Sequence, residues 1–344
     1  MKRNVGGWDR GIRCIAGGAA LGVALMGRRR TWGKAALVLA GTELLSAATG
    51  YCPVNQALGI DTRREGRPKG IALPKDAVMR GTMVNGAHEV TSETAYQRLA
   101  IVNVVFWGRA DHWVLIDAGV KGSAGRIRNT AEARFGAGAK PAAIVLTHGH
   151  FDHVGALQEL AETWDVPIYA HAKELPYLSG RSQYPEPDPS VGGGMMARLA
   201  GLYPGGPIDV SRWLKPLPSG GSVPEMSGWQ WIFTPGHTPG HVSLWHEADR
   251  MLIAGDAIVT TRQESAYSVT LQLPELNGPP KYYTPDWDAA ADSVRRLAAL
   301  QPRTIVSGHG PAIAGMKARR ALNRLAYDFE ALAVPEHGRY VDQR

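Results

Sequence analysis

Three imidazoles and a carboxylate fall within six residues, in the run Thr147-His148-Gly149-His150-Phe151-Asp152-His153. Imidazole and carboxylate are the donors that borderline divalent cations prefer. Polar rings this dense compete for hydrogen-bond partners, which ordinary packing does not supply. A metal site therefore accounts for the run better than a loop that happens to be histidine-rich. The run also follows an apolar stretch, 142–146, and this phasing recurs. His237 follows Trp231-Ile232-Phe233-Thr234-Pro235-Gly236, Asp256 follows Met251-Leu252-Ile253-Ala254-Gly255, and His309 follows Thr304-Ile305-Val306-Ser307-Gly308. Four apolar runs each end in a potential ligand, and strand ends at one sheet edge converge on one site.

The elements that must position these groups are short. Residues 99–107 and 113–116 read as strands joined by a turn at 108–111. Residues 142–146 read as a buried strand, and Val154, Leu157, Leu160 and Ala161 then recur at helical spacing. Further strands are expected at 167–170, 229–233, 242–245, 251–254 and 304–306. The expected organisation is a two-helix hairpin at 1–60, a linker at 61–75, a catalytic domain at 76–330 and a C-terminal tail at 331–344.

The chain has 344 residues and a net charge of +7, but the charge is unevenly placed. Residues 1–75 carry 13 Lys and Arg against 4 Asp and Glu; the remainder carries 25 against 27. The histidine-bearing part thus has no surplus positive charge with which to track phosphates, and no nucleic-acid partner is expected. Both cysteines, Cys14 and Cys52, lie in the first sixty residues, so a metal held further along must use nitrogen and oxygen.

Taken together, His148–His153, the segment Thr234-Pro235-Gly236-His237-Thr238-Pro239-Gly240-His241, Gly255-Asp256 and Ser307-Gly308-His309-Gly310 resemble the metallo-β-lactamase superfamily. Asp117, ahead of Ala118-Gly119, matches that family's first motif, and the likeness spans about residues 80–315. The resemblance implies an α/β fold, an αββα sandwich with its site at one edge between the sheets. It implies His148, His150 and His237 at a first metal, Asp152, His153 and His309 at a second, and Asp256 bridging them. Two divalent ions are expected: zinc suits five imidazoles and two carboxylates, with iron and manganese as alternatives. A bridging water acidified by both ions would attack an electrophilic carbonyl, with Asp152 relaying a proton to the leaving group. Asp117 and His241 are expected to support the ligands through hydrogen bonds. His88, His112, His171, His246 and His337 have no companions and read as surface or loop residues.

Two apolar stretches, 14–27 and 35–49, flank Arg28-Arg29-Arg30 and Lys34. Each falls somewhat short of the ~20 residues of a usual spanning helix, which tilt or snorkelling can offset. Gly18 and Gly22 form a small-xxx-small pair suited to close helix approach, and Glu43 is expected near a helix interface or the headgroups. Asn4-Val5-Gly6-Gly7, Asp9-Arg10, Ile12-Arg13 and Gly50-Tyr51-Cys52-Pro53-Val54-Asn55 resemble the two-helix inner-membrane domain fused to rhodanese-type proteins in bacteria. The resemblance implies an inner-membrane hairpin, with a cleaved signal peptide or a soluble helical pair packed on the main domain as the other readings, and the basic tails, against the basic loop, favour a catalytic domain facing the cytoplasm.

The substrate is expected to be a small molecule. An insert at 174–228, rich in Gly and Pro, reads either as a lid with Met195, Met196, Leu199 and Leu202 on an adaptable face or as an amphipathic helix packed on the domain. A second wall is expected at 265–286, where Tyr267, Tyr282 and Tyr283 either line a pocket or pack. Val259 and Thr260 stand where resembling acyl-homoserine lactonases carry a tyrosine after the bridging Asp, which weakens that reading. The preferred activity is hydrolysis of an ester, lactone or thioester. The alternative is a persulfide dioxygenase with one iron, which would leave Asp152, His153 and His309 without a metal to hold.

Overall fold

The structure, a computed structural model, describes residues 3–27, 30–57, 70–79, 81–204 and 208–341. It divides into two compact units, one of residues 1–68 with 193–195 and one of the remainder.

The larger unit is built on two main sheets. The first has eight strands in the order Met83–Val84, Ala87–Glu89, Thr94–Leu99, Val102–Arg109, His112–Ile116, Ala143–Val145, Ile168–Ala170 and Leu214–Pro216. It is antiparallel up to His112–Ile116 and parallel beyond. The second has five, Trp229–Phe233, Val242–His246, Met251–Gly255, Thr304–Ser307 and Ile313–Ala314, with Met251–Gly255 parallel to Thr304–Ser307.

Side-chain alternation along the strands sorts the apolar residues into layers. Val105, Val114, Ile116 and Val145 of the first sheet pack in one core with Val242, Leu244, Ile253 and Val306 of the second. The intervening residues turn the other way. Val104, Phe106, Leu115 and Ile144 meet the helices Ala124–Phe135 and Leu157–Trp164 through Ile127, Leu157 and Leu160. Leu252, Ala254 and Ile305 meet Trp287–Ala299 and Gly315–Tyr327 through Val294, Leu297 and Leu322. The result is the expected αββα sandwich, each sheet buried on both faces.

Three expectations are corrected. A strand at Thr94–Leu99 precedes the one read at 99–107, which begins instead at Val102. The stretch read as linker is ordered from Gly70: Ile71–Ala72 pairs with Glu275–Leu276, and Gly70 N–H donates to the Glu275 carboxylate at 2.8 Å. Residues 61–69 of that expectation lie outside the described residues. Of the segment read as a C-terminal tail at 331–344, Ala333 and Val334 join the buried core and Tyr340 and Val341 pack on it, while residues 342–344 lie outside the described residues.

The smaller unit pairs the helices Gly7–Met26 and Thr31–Thr49, followed by Pro53–Ala57. Gly17, not Gly18 or Gly22, is the contact glycine: a Cβ there would sit 2.7 Å from Leu44 Cγ, while Gly18 and Gly22 face open space. The Arg13 guanidinium pairs with Asp9 at 2.7 Å and with Glu43 at 3.0 Å, so the Glu43 charge is answered across the helix interface. Asn4 closes the hairpin, giving Nδ2–H to Cys52 O and accepting Cys52 N–H. Among the described residues, no helix is long and apolar enough to cross a membrane.

Candidate metal centre

The parallel strands deliver their C-terminal ends to one edge. Asp117 follows His112–Ile116, His148 follows Ala143–Val145, Asp256 follows Met251–Gly255, and His309 follows Thr304–Ser307. The short helix Phe151–Val154 carries Asp152 and His153 straight back to that edge. His237 sits on a loop held by the helix Trp287–Ala299: Ser293 donates to Pro235 O at 2.7 Å, and Arg296 to Phe233 O at 2.6 Å.

These loops bring three groups of possible ligand atoms together, each within 4.8 Å: His148, His150 and His237; His148, His153 and Asp256; and Asp152, His153 and His309. All seven residues are buried. Asp256 faces both histidine sets, with Oδ2 3.5 Å from His237 Nε2 and 3.0 Å from His309 Nε2, and Oδ1 3.4 Å from His153 Nε2.

The outward ring nitrogens explain which nitrogen is offered inward. The Thr147 hydroxyl gives its proton to Asp117 Oδ2 at 2.8 Å, so it accepts from His148 Nδ1 and leaves Nε2 with a lone pair. The Thr284 hydroxyl donates to Pro280 O and so accepts from His237 Nδ1. His153 Nδ1 donates to Asp117 Oδ2 at 2.9 Å, and His309 Nδ1 donates to Ile101 O at 2.6 Å. Each of these four rings turns Nε2 to the centre. His150 uses Nδ1, 3.1 Å from His148 Nε2 and 2.9 Å from His237 Nε2.

Charge divides the two sets. Burial drives the imidazoles of His148 and His237 well below the usual histidine range, and that of His150 down to about 3, aided by neighbouring histidines. They are neutral at pH 7. Burial also opposes charge on His153, but Asp256, Asp117 and Asp152 outweigh it and raise that ring well above the usual range. His309 is raised likewise, by Asp256 and Asp152 against its burial. The carboxylate-rich side therefore calls for positive charge.

The residues fit a pair of divalent cations. His153 Nε2 and Asp256 Oδ1 are buried and have no hydrogen-bond partner. Gly308 keeps space there: a Cβ would stand 2.1 Å from Asp256 Oδ1 and 2.8 Å from His153 Cε1. The donor set is nitrogen and oxygen throughout, as zinc, iron and manganese accept.

Asp117 and His241 each hydrogen-bond to a candidate ligand residue. Asp117 adopts φ 59°, a left-handed conformation that aspartate tolerates, and accepts from Thr147 N–H, the Thr147 hydroxyl and His153. His241 has both nitrogens engaged, accepting Asp256 N–H on Nε2 and meeting the Thr234 hydroxyl through Nδ1. His88, His112, His171, His246 and His337 belong to none of the ligand groups.

Two supporting residues escaped the sequence reading. Glu174, wholly buried, accepts Gly149 N–H at 3.0 Å and the Tyr184 hydroxyl on one oxygen. Its other oxygen accepts Gly240 N–H at 2.7 Å and the Thr238 hydroxyl at 2.9 Å. One carboxylate thus ties the His148–His153 loop to the His237–His241 loop. Asn103 holds the His309 loop, donating Nδ2–H to Ser307 O and Gly310 O, while its N–H donates to Gly308 O. The nearest signal for Glu174 was its place just after the strand Ile168–Ala170.

The His150 ring opens onto a cavity of about 570 Å³. Tyr177, Tyr184 and Tyr203 from the insert and Tyr283 from the second wall line it. Tyr184 packs edge-on to His150 and Tyr283 lies tilted against it, with ring centroids 4.7 and 4.6 Å away. Met195, Met196, Leu199 and Leu202 do not line it; Met195–Arg198 is a single helical turn.

Residues 98–309 match the family model described as the metallo-beta-lactamase superfamily, and residues 1–66 match that of the inner membrane protein YgaP-like transmembrane domain. The probable metallo-hydrolase YflN of Bacillus subtilis (strain 168) is 49% identical over 257 residues, 74% of this chain and 96% of the relative. A hydroxyacylglutathione hydrolase of Bdellovibrio bacteriovorus is 27% identical over 48% of this chain and 47% of its own. A crystal structure of TTHA1623 in a di-iron-bound form shares 28% identity and a TM-score of 0.43, covering 66% of this chain and 96% of that one. The chain belongs to the metallo-beta-lactamase superfamily and is a hydrolase of that superfamily, and its residues 1–66 are similar to the YgaP-like transmembrane domain.

Proposed function

We propose that this hydrolase works with two divalent ions, zinc in the first instance, and cleaves an ester, lactone or thioester of a small molecule. The observation that carries the reading is Asp256, whose carboxylate reaches histidines of both ligand sets. His148, His150 and His237 would hold one ion; Asp152, His153 and His309 would hold the other; Asp256 would serve both. Bound there, the ions supply an acidified water and a Lewis acid for the substrate oxygen.

The chain's own contribution is positioning and proton handling. Asp152 lies beside His309 at 3.4 Å, placed to orient the attacking water and pass its proton to the leaving group. Asp117 keeps the His153 ring in the tautomer that bares Nε2. Tyr184, Tyr203 and Tyr283 line the cavity beside His150 and would shield the reacting bond from water. The relative named hydroxyacylglutathione hydrolase supports keeping acyl compounds in the substrate class.

The N-terminal unit would anchor the enzyme in an inner membrane, with the catalytic unit on the cytoplasmic side. The match over residues 1–66 and the exposed Ile15, Leu25, Met26, Val38 and Leu45 support this. Partition of the full chain with washed membranes tests the anchoring.

Metal analysis of the purified protein, with a panel of esters, lactones and thioesters, tests the activity. About two zinc ions per chain and turnover of at least one class are expected. One iron per chain with oxygen uptake from a persulfide would overturn the reading in favour of sulfur oxidation.

A further inference from the structure

The cavity beside His150 has a distinctive wall. Tyr184-Pro185-Glu186-Pro187-Asp188-Pro189 places prolines at every second position, and Pro185, Pro187 and Pro189 all line the cavity. Proline lacks an N–H and holds the chain extended, so this wall cannot brace itself by a hydrogen-bonded ladder of its own. It is braced from elsewhere. Asp188 is buried and joins three segments. Its Oδ1 accepts from Ser190 N–H at 2.9 Å and from the Ser190 hydroxyl at 2.6 Å. Its Oδ2 accepts Arg339 N–H at 2.5 Å, and its own N–H donates to Tyr282 O at 2.7 Å, next to the cavity residue Tyr283. Tyr340 donates its hydroxyl to Glu186 O at 2.6 Å. Gly338, with φ 152°, allows the approach: a Cβ there would lie 2.7 Å from Asp188 Oδ2.

The lining says what the cavity would take. Its two charged side chains among the described residues, Glu186 and Arg339, pair with each other at 3.0 Å. The Tyr184 and Tyr203 hydroxyls are committed to Glu174 and to Met196 O, so these residues offer ring faces. Phe151, Val154 and Ile208 add apolar surface. A charged group entering would meet no unpaired charge among these side chains, only neutral polar groups such as those of Ser182 and Gln183.

We infer that this cavity binds the uncharged, apolar acyl part of the substrate, and that the segment Gly338–Tyr340, through Asp188, holds its outer wall. The inference rests on the hydrolase reading above for the identity of the reacting bond. Asp188 and Gly338 are positioning residues, since neither lines the cavity.

The test is binding without turnover. Acetate, butanoate, hexanoate and octanoate are titrated into the zinc-loaded full-length protein by calorimetry. Each CH₂ that enters the cavity is expected to tighten binding by about fourfold. In Asp188→Asn, where one oxygen can no longer accept, and in Gly338→Val, the gain per CH₂ is expected to fall at least by half. A general folding defect would weaken all four ligands alike and leave the gain per CH₂ intact. A flat series in the unaltered protein overturns the cavity assignment. An unchanged gain in both variants overturns the role of the Gly338–Tyr340 segment. Failure to cleave any ester, lactone or thioester, with the chain-length gain present, would sink the proposed substrate bond and leave the apolar binding role of the cavity standing.

Discussion

The backbone N–H of Asp256 donates to Nε2 of His241 at 2.9 Å. The histidine of the His237–His241 segment that is not offered to a metal thereby fixes the carboxylate that faces both ligand sets. The opposite nitrogen meets the Thr234 hydroxyl at 2.8 Å, which contacts Ser243 Oγ, and Ser243 donates to Ala254 O. The chain of bonds runs from one strand of the second sheet to the next and ends beside Asp256. Replacing His241 with Ala strands the Asp256 N–H, a cost of about 1–3 kcal/mol. Zinc affinity should fall about 10- to 100-fold, as for other groups that orient a ligand. Competition with a chelating indicator measures this. Affinity equal to that of the unaltered protein would show that Asp256 needs no such support.

Asp117→Asn tests the tautomer of His153. The carboxylate accepts three hydrogen bonds and donates none. An amide in its place must turn an NH₂ toward at least one donor. Because Oδ2 serves both His153 and the Thr147 hydroxyl, the change reaches a ligand of each set. Activity should drop by a factor of about 10 to 100, with zinc content falling below two per chain in limiting metal. Full occupancy with unchanged kcat would assign Asp117 to the fold alone.

The candidate ligands His148, Asp256 and His309 were legible in the sequence because each stands just past an apolar run that forms a parallel strand, and His237 because it follows the apolar run of an antiparallel one. Glu174 was not legible, because its partners are the N–H groups of Gly149 and Gly240, far apart in the chain and silent as letters. Asn103 was hidden in the same way, by carbonyl partners two hundred residues on. The strand Thr94–Leu99 alternates weakly, with Gln97 and Arg98 among its residues, and gave no clean period of two. Gly18 and Gly22 were read as the contact pair on spacing alone. Spacing defines a stripe but not which stripe faces the partner, and Gly17 lies on the one that does. The segment from 331 was read as a tail; its Ala333 packs within van der Waals reach of Gly278, where no side chain stands.

Gly308→Ala is a steric test of the centre. The added methyl would stand 2.1 Å from Asp256 Oδ1, closer than any Cβ sits to an oxygen. Either the carboxylate or the His309 loop must shift. A displacement of this order costs about a hundredfold or more in kcat where geometry carries the chemistry. Gly125→Ala, in the helix Ala124–Phe135 with nothing within 4 Å, is the matched control. Lying in the first turn of that helix, it should change stability by no more than about 0.5 kcal/mol and leave kcat unchanged. Comparable activity in the two variants would contradict the close approach at Gly308.

Glu174 makes a sharper distinction between charge and shape. Each of its oxygens accepts one backbone N–H and one hydroxyl. The Thr238 and Tyr184 hydroxyls can rotate to accept instead, but the N–H groups of Gly149 and Gly240 cannot. In Glu174→Gln, either orientation of the amide sets an NH₂ against one of these two fixed donors. In Glu174→Ala both are stranded, at about 1–3 kcal/mol each. The melting temperature should therefore fall in the order unaltered, Gln, Ala. Because Gly149 lies between His148 and His150, and Gly240 lies beside His241, zinc affinity should fall in the same order. A Gln variant with unaltered zinc affinity and melting temperature would mean that the two histidine loops hold their spacing without a shared carboxylate.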